Sequence, residues 1–183
     1  MKVSLTHVPH IAMRIAVDLS RSGLVTMTKG LEAVAKEAET ILAANIKKEM
    51  ALEEKVKEIV NANEEQIDFY LADERQLFFM IKKKLAPEYG VILSYEERYS
   101  DIAHQILDAL YEEDLIRYDV AENRIKNVIY DAITGSIADT SEIESAVFQK
   151  IKSYKRHLIP GTDEFEIVYE KLYKEELVRR GMA

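Results

Sequence analysis

The chain has 183 residues, of which 48% are hydrophobic, with six glycines, three prolines, no cysteine and a formal charge of −8. The missing thiol excludes a disulfide scaffold, a thiolate zinc site and a cysteine nucleophile, and it fits a reducing cytoplasm. The charge balance, 13 cations against 14 carboxylates in residues 1–91 and 12 against 19 in 92–183, is opposite in sign to that of a general nucleic-acid binder.

Met1 to His10 carries one lysine and no apolar core of a leader. No run approaches the roughly eighteen apolar residues that a membrane span needs, so a cytoplasmic protein with no membrane partner is expected. Scarce glycine and proline among abundant Ala, Leu, Glu and Lys predict an all-α fold with long amphipathic helices.

In chain order, Ile11, Ala12, Ile15 and Leu19 recur at helical spacing. From Gly30 to Pro87 there is neither glycine nor proline, and an unbroken helix there would extend for roughly 80 Å and make an elongated molecule. Asn45 or the stretch Asn61 to Gln66 can bend it. A break near Asn61 to Asn63 is favoured, with Asn63 and Gln66 as a capping pair. Pro87, Gly90 and Ser94 mark a join.

Ser94 and Glu97 have capping-box spacing and open a helix that carries Ile102, Ile106, Ala109 and Leu110 to about Glu113. A second helix is expected over residues 120–134, broken by Gly135 and Ser136. A third starts at Ser141, with Glu144 three residues on, and carries Ile143, Val147 and Ile151 toward Arg156. Pro160 and Gly161 force a turn, Asp163 and Glu166 form a capping pair, and the last helix runs to Arg180 with Gly181 just past its end. Arg179 and Arg180 suit the negative end of that helix.

A shift of 91 residues brings the apolar positions into register without a gap. Ile11, Ile15 and Leu19 fall over Ile102, Ile106 and Leu110, and the match continues through Val34 over Ile125, Leu42 over Ile133, Val56 over Val147 and Ile81 over Leu172. Chance phase between two amphipathic segments does not easily survive four helices and three connections. The chain therefore reads as two tandem related helical units, 1–91 and 92–183. Where Pro160 and Gly161 stand, the first unit has Phe69 and Tyr70, which should lie in or beside helix.

The sequence holds no glycine-rich phosphate loop, no Gly-x-Ser-x-Gly elbow and no His-Glu-x-x-His helix. Glu97, Asp101, His104 and Asp108 share one helix face, the spacing with which helical bundles build metal sites. A two-metal site needs that motif twice, and His10 and Met13 do not supply it. A solvated polar face opposite Ile102 and Ile106 is the better account, and no metal or cofactor is expected. The basic run Lys150, Lys152, Lys155, Arg156 and His157 could hold phosphates, although cations near a helix C-terminus are also ordinary dipole partners. Lys82, Lys83 and Lys84 read as a solvated helix end. Tyr169 and Tyr173, four apart beside Leu172 and Leu177, read as core.

The run from Leu93 through Ile116, the segment Arg124 to Ile133, and the last stretch Lys150 to Gly181 resemble a bacterial family catalogued as domain of unknown function 507. The likeness is sharpest in the last third, with its basic residues, Pro160–Gly161 turn, Tyr169, Tyr173 and terminal Arg179, Arg180 and Gly181. It covers about residues 93–181, the first half being a faint, diverged copy. The resemblance implies fold and compartment and carries no activity. The functional reading is a non-enzymatic binding or scaffold protein with an unidentified protein partner. Nucleic-acid or phosphate binding through residues 150–157 is the alternative, and an enzyme or metal-binding helical protein is the third.

Overall fold

A computed structural model describes residues 3–63, 73–154 and 158–180. Among these, six α-helices carry the architecture and the only β-structure is a two-stranded ribbon, so the fold is all-α as composition predicts.

Helix α1 (Val8–Ser22) follows a single 3-10 turn at Leu5–His7 and places Pro9 in its first turn, where a missing N–H costs nothing. It closes on Gly23, whose φ of +69° is the left-handed step that favours glycine at a helix end. Strand β1 (Thr26–Met27) leads into α2 (Leu31–Ala62), 32 residues long. Asn45 lies inside α2, so it does not bend the chain out of helix. The helix ends where a break was favoured, with the Asn63 Nδ2 donating to the Ile59 carbonyl at 2.7 Å. Gln66, Phe69 and Tyr70 lie outside the described residues.

Helix α3 (Glu74–Leu85) is capped by Asp73, whose carboxylate accepts from the Arg75 N–H at 2.9 Å. A turn over residues 86–90 follows, and the Ser94 hydroxyl accepts from the Glu97 N–H at 3.4 Å to open α4 (Tyr95–Glu112). Strand β2 (Ile116–Arg117) pairs antiparallel with β1, Thr26 opposite Arg117 and Met27 opposite Ile116.

Helix α5 (Glu122–Lys152) departs from expectation, because it runs through Gly135 and Ser136 and past Ser141 without a stop. A mid-helix glycine costs only about 1 kcal/mol relative to alanine and raises no steric bar. The burial of Ile133, Ser136 and Ile137 outweighs that cost. Polar side chains here turn back on the helix, the Thr134 hydroxyl donating to the Tyr130 carbonyl at 3.0 Å and that of Thr140 to Ser136 at 2.9 Å. The chain turns at Pro160–Gly161 as predicted. The cap of α6 (Asp163–Arg179) is however Thr162 rather than Asp163, since Thr162 holds the extended backbone (φ −97°, ψ 151°) and its hydroxyl accepts from the Phe165 N–H at 3.3 Å.

By packing, the chain divides into two compact units, residues 1–134 and 135–183, a division that falls inside the span of α5. In the first, α1 packs along α2, and α2 packs against both α3 and α4. Ile11, Ile15, Leu19, Leu42, Ile106, Leu110, Ile125 and Ile129 form its fully buried centre. Further along α2, Leu52, Val56 and Val60 form a second cluster with Ala86 and Val91, joined by Leu77, Phe78 and Ile81 of α3. In the other unit Ile143, Val147 and Ile151 of α5 pack with Phe165 and Leu172 of α6, joined by Tyr169 and Tyr173. Full burial of one such side chain contributes about 1.5–3 kcal/mol.

Several residues that stand 91 positions apart are both buried. Both members are buried in the pairs Ile11 and Ile102, Ile15 and Ile106, Leu19 and Leu110, Val34 and Ile125, and Leu42 and Ile133. Leu52, Val56 and Val60 likewise occupy the places of Ile143, Val147 and Ile151, each trio being the heart of its own cluster.

Candidate binding surface

Helix α3 has two unlike sides. Leu77, Phe78, Ile81 and Leu85 pack onto the α2 cluster, which accounts for the inner side. Phe79 and Met80 point the other way and are 56% and 69% exposed. Phe79 keeps an edge-on contact with Phe78, ring centroids 5.9 Å apart, so its ring is held although it is wet. Around this pair Arg75, Gln76, Lys83 and Lys84 are exposed.

Lys82, the first lysine of the triplet, is not solvated. Its ammonium reaches Glu53 at 2.8 Å and Glu49 at 3.1 Å on α2. The Glu49 carboxylate is buried, and its other oxygen accepts from the Arg98 Nη1 of α4 at 2.6 Å. Arg98 completes its hydrogen bonding at Asn45, whose side-chain oxygen lies 2.6 Å from Nε. One ionic knot thus ties α2, α3 and α4, and it fixes α3 against the unit. Burial works against the charged form of Glu49, but hydrogen bonds and charge from Arg98 and then Lys82 outweigh it and hold the carboxyl below its ordinary range. Burial likewise pulls at the Lys82 ammonium, and its bonds to Glu53 and Glu49 outweigh that and raise its pKa.

Of the basic run over residues 150–157, Lys155, Arg156 and His157 lie outside the described residues. Lys152 is exposed, whereas Lys150 donates to the Glu176 carboxylate of α6 at 3.1 Å. Glu176 is fully buried and also accepts from Arg179 Nε at 3.0 Å, from a second Arg179 nitrogen, and from Arg180 Nε at 2.9 Å. Those bonds, from Arg179 first and then Arg180, overcome burial and hold the carboxyl at about 2. Arg180 spans further to Glu142 at 2.9 Å. The terminal arginines therefore neutralise a buried acid as well as sitting at the end of their helix. Beside them Phe148, Phe165, Tyr169 and Tyr173 form a ladder of ring contacts, and burial pushes the Tyr169 hydroxyl up to about 12.

The polar face of α4 behaves as local pairs. His104 meets Asp108 at 3.4 Å with both side chains half exposed, and Gln105 donates to Asp101 at 2.6 Å. Glu97, Asp101 and His104 line an open cleft of about 440 Å³ together with Glu122, Asn123 and Lys126. Among the described residues no group of three such side chains is placed to hold a metal ion.

The buried charges Glu49, Arg98 and Glu176 have no motif in the sequence. Each lies in phase with an apolar stripe, Glu49 between Ile46 and Leu52, Arg98 four residues before Ile102, and Glu176 four after Leu172. A charge in that phase is the signal that marks a buried ion pair.

The molecule is an all-α protein of helix hairpins with packed apolar faces and ionic ties between neighbouring helices. The chain belongs to the family described as "Protein of unknown function (DUF507)", which it matches over residues 1–182. The family thus takes in the first half as well as the residues beyond about 93 that carry the visible likeness. No helix among the described residues is long and apolar enough to cross a membrane. Among curated proteins none matches the chain.

Proposed function

We propose that this chain is a cytoplasmic binding or scaffold protein that holds a protein partner and performs no catalysis of its own. The observation that carries the reading is the adjacent pair Phe79 and Met80, large apolar side chains left in water on a helix that the ionic knot and the α2 cluster fix in place. Scattered apolar residues on a surface are ordinary, but two in sequence on an anchored helix offer a partner a preformed anchor. The full chain used as bait should retain a defined protein, and the Phe79→Ser, Met80→Ser variant should not. Equal retention by both would remove the basis for the reading.

The competing reading is a phosphate or nucleic-acid site at Lys150, Lys152, Lys155, Arg156 and His157. Lys152 supports it by its exposure in the last turn of α5, while Lys150 contributes only by leaving Glu176. Binding of this kind would weaken steeply with salt and be lost on charge reversal at Lys152, Lys155 and Arg156. We also read the chain as a tandem duplication of units 1–91 and 92–183, supported by the coincidence of buried positions at the 91-residue offset.

A further inference from the structure

We propose that α3 docks on an acidic protein surface, a groove whose apolar floor takes Phe79 and Met80 and whose rim carries carboxylates opposite Arg75, Lys83 and Lys84. This rests on the reading of the chain as a protein-binding module and names the chemistry of its partner.

Three observations converge on that occupant. At a helical repeat, Gln76, Phe79, Met80 and Lys83 share one face, with Arg75 and Lys84 at its two margins, and all six are exposed. The patch has an apolar centre and a charged rim, which is the anatomy of a protein interface, and Phe, Met and Arg are residue types enriched there. Its sign is also opposite to that of the chain. Helix α3 holds four cations against the one carboxylate of Glu74, in a protein of charge −8. Lys82 is committed to Glu49 and Glu53, so the outward cations are Arg75, Lys83 and Lys84, with the exposed carboxylates Asp73 and Glu74 confined to the N-cap and first turn. A basic island on an acidic protein selects a partner of complementary potential and excludes other basic surfaces. An anionic phospholipid surface would be repelled by the rest of the chain while gaining only two apolar side chains. Because Lys82 and the inner apolar side fix α3 before any encounter, little ordering remains to oppose docking.

The test uses the full chain with Phe79→p-benzoylphenylalanine, a photo-crosslinking side chain, and a control carrying the same group at Tyr111, which is exposed elsewhere on the same unit. Illumination in cells should join position 79 to one protein, at a peptide rich in carboxylates. That purified protein should bind the unmodified chain with an affinity that falls about tenfold or more for Lys83→Glu, Lys84→Glu. It should fall again as salt is raised, and charge reversal on the partner's rim should restore it. Circular dichroism of the variant should match the parent, since both lysines are exposed. A position-79 adduct with lipid, with nucleic acid or with this chain itself would overturn the proposal, and so would an affinity indifferent to Lys83→Glu, Lys84→Glu. Should position 79 join a protein whose affinity is indifferent to Lys83→Glu, Lys84→Glu, the protein-binding reading stands and this one falls, whereas a protein that attaches only at Tyr111, or is retained equally by the Phe79→Ser, Met80→Ser variant, removes the basis of both. With no protein captured by either route, both fall.

Discussion

Thr26 faces Arg117 across the antiparallel ribbon, and Arg117 is the residue that the 91-residue offset assigns as Thr26's counterpart. In an antiparallel ladder such a pair sits on a local two-fold relation, so the ribbon pairs positions that stand 91 residues apart. If the halves derive from one unit, equivalent core positions should respond alike. Ile15→Ala and Ile106→Ala, each at a fully buried site, should each cost about 2–5 kcal/mol in chemical denaturation and agree to within about 1 kcal/mol. A strong loss at one and almost none at the other would count against duplication.

The ionic knot makes a sharper prediction. Arg98→Met leaves the Glu49 carboxylate buried with only Lys82 to pair it, so stability should fall by about 3 kcal/mol. Adding Glu49→Leu should recover much of that loss, because the uncompensated charge is then gone. If the double variant is no better than the single one, burial of an unpaired acid is not what the knot prevents.

Glu176 gives a pH dependence with a definite sign. Its folded carboxyl sits at about 2 against an ordinary value of 4.5, so its contribution is fully present above about 4.5 and is lost as pH falls from there toward 2. The melting temperature of Glu176→Gln should therefore lie below that of the parent at neutral pH, with the gap closing across that acid window. A gap that stays constant down to pH 2 would mean that Glu176 is not held ionised by Arg179, Arg180 and Lys150.

Gly135 lies inside α5 with helical geometry, where the freedom of glycine in the unfolded chain weighs against the helix. Gly135→Ala should stabilise the protein by about 0.5–1 kcal/mol, read as a higher denaturation midpoint. Were the helix broken there in solution, as sequence punctuation suggests, alanine would give no gain or a loss.

Phe79→Ser and Met80→Ser should change stability by less than about 0.5 kcal/mol, since both side chains already stand in water. The control is Ile81→Ser on the inner side of the same helix, which should destabilise measurably because it packs on the α2 cluster. Equal effects on both sides would mean that Phe79 and Met80 are covered in the folded protein.

The helical class, the apolar faces and most of the helix ends can be read from the residues alone, because these depend on neighbours three or four positions away. Ile102, Ile106 and Leu110 announce their helix, Ser94 caps it, and Asn63 and Gly161 stop or turn the chain wherever they are met. Gly135 misled because a weak helix breaker is decided by the burial of Ile133 and Ile137 beside it, a property of the packed helix. Which charges face water is settled by the packing of helices against one another. Lys82 belongs to a triplet that looks solvated, yet it is bound to residues 29 and 33 positions earlier, and Lys150 is held by an acid 26 positions later. The same holds for the exposure of Phe79 and Met80. Whether an apolar or charged side chain is buried depends on which helices come to lie beside it, and that is set by long-range packing rather than by local pattern.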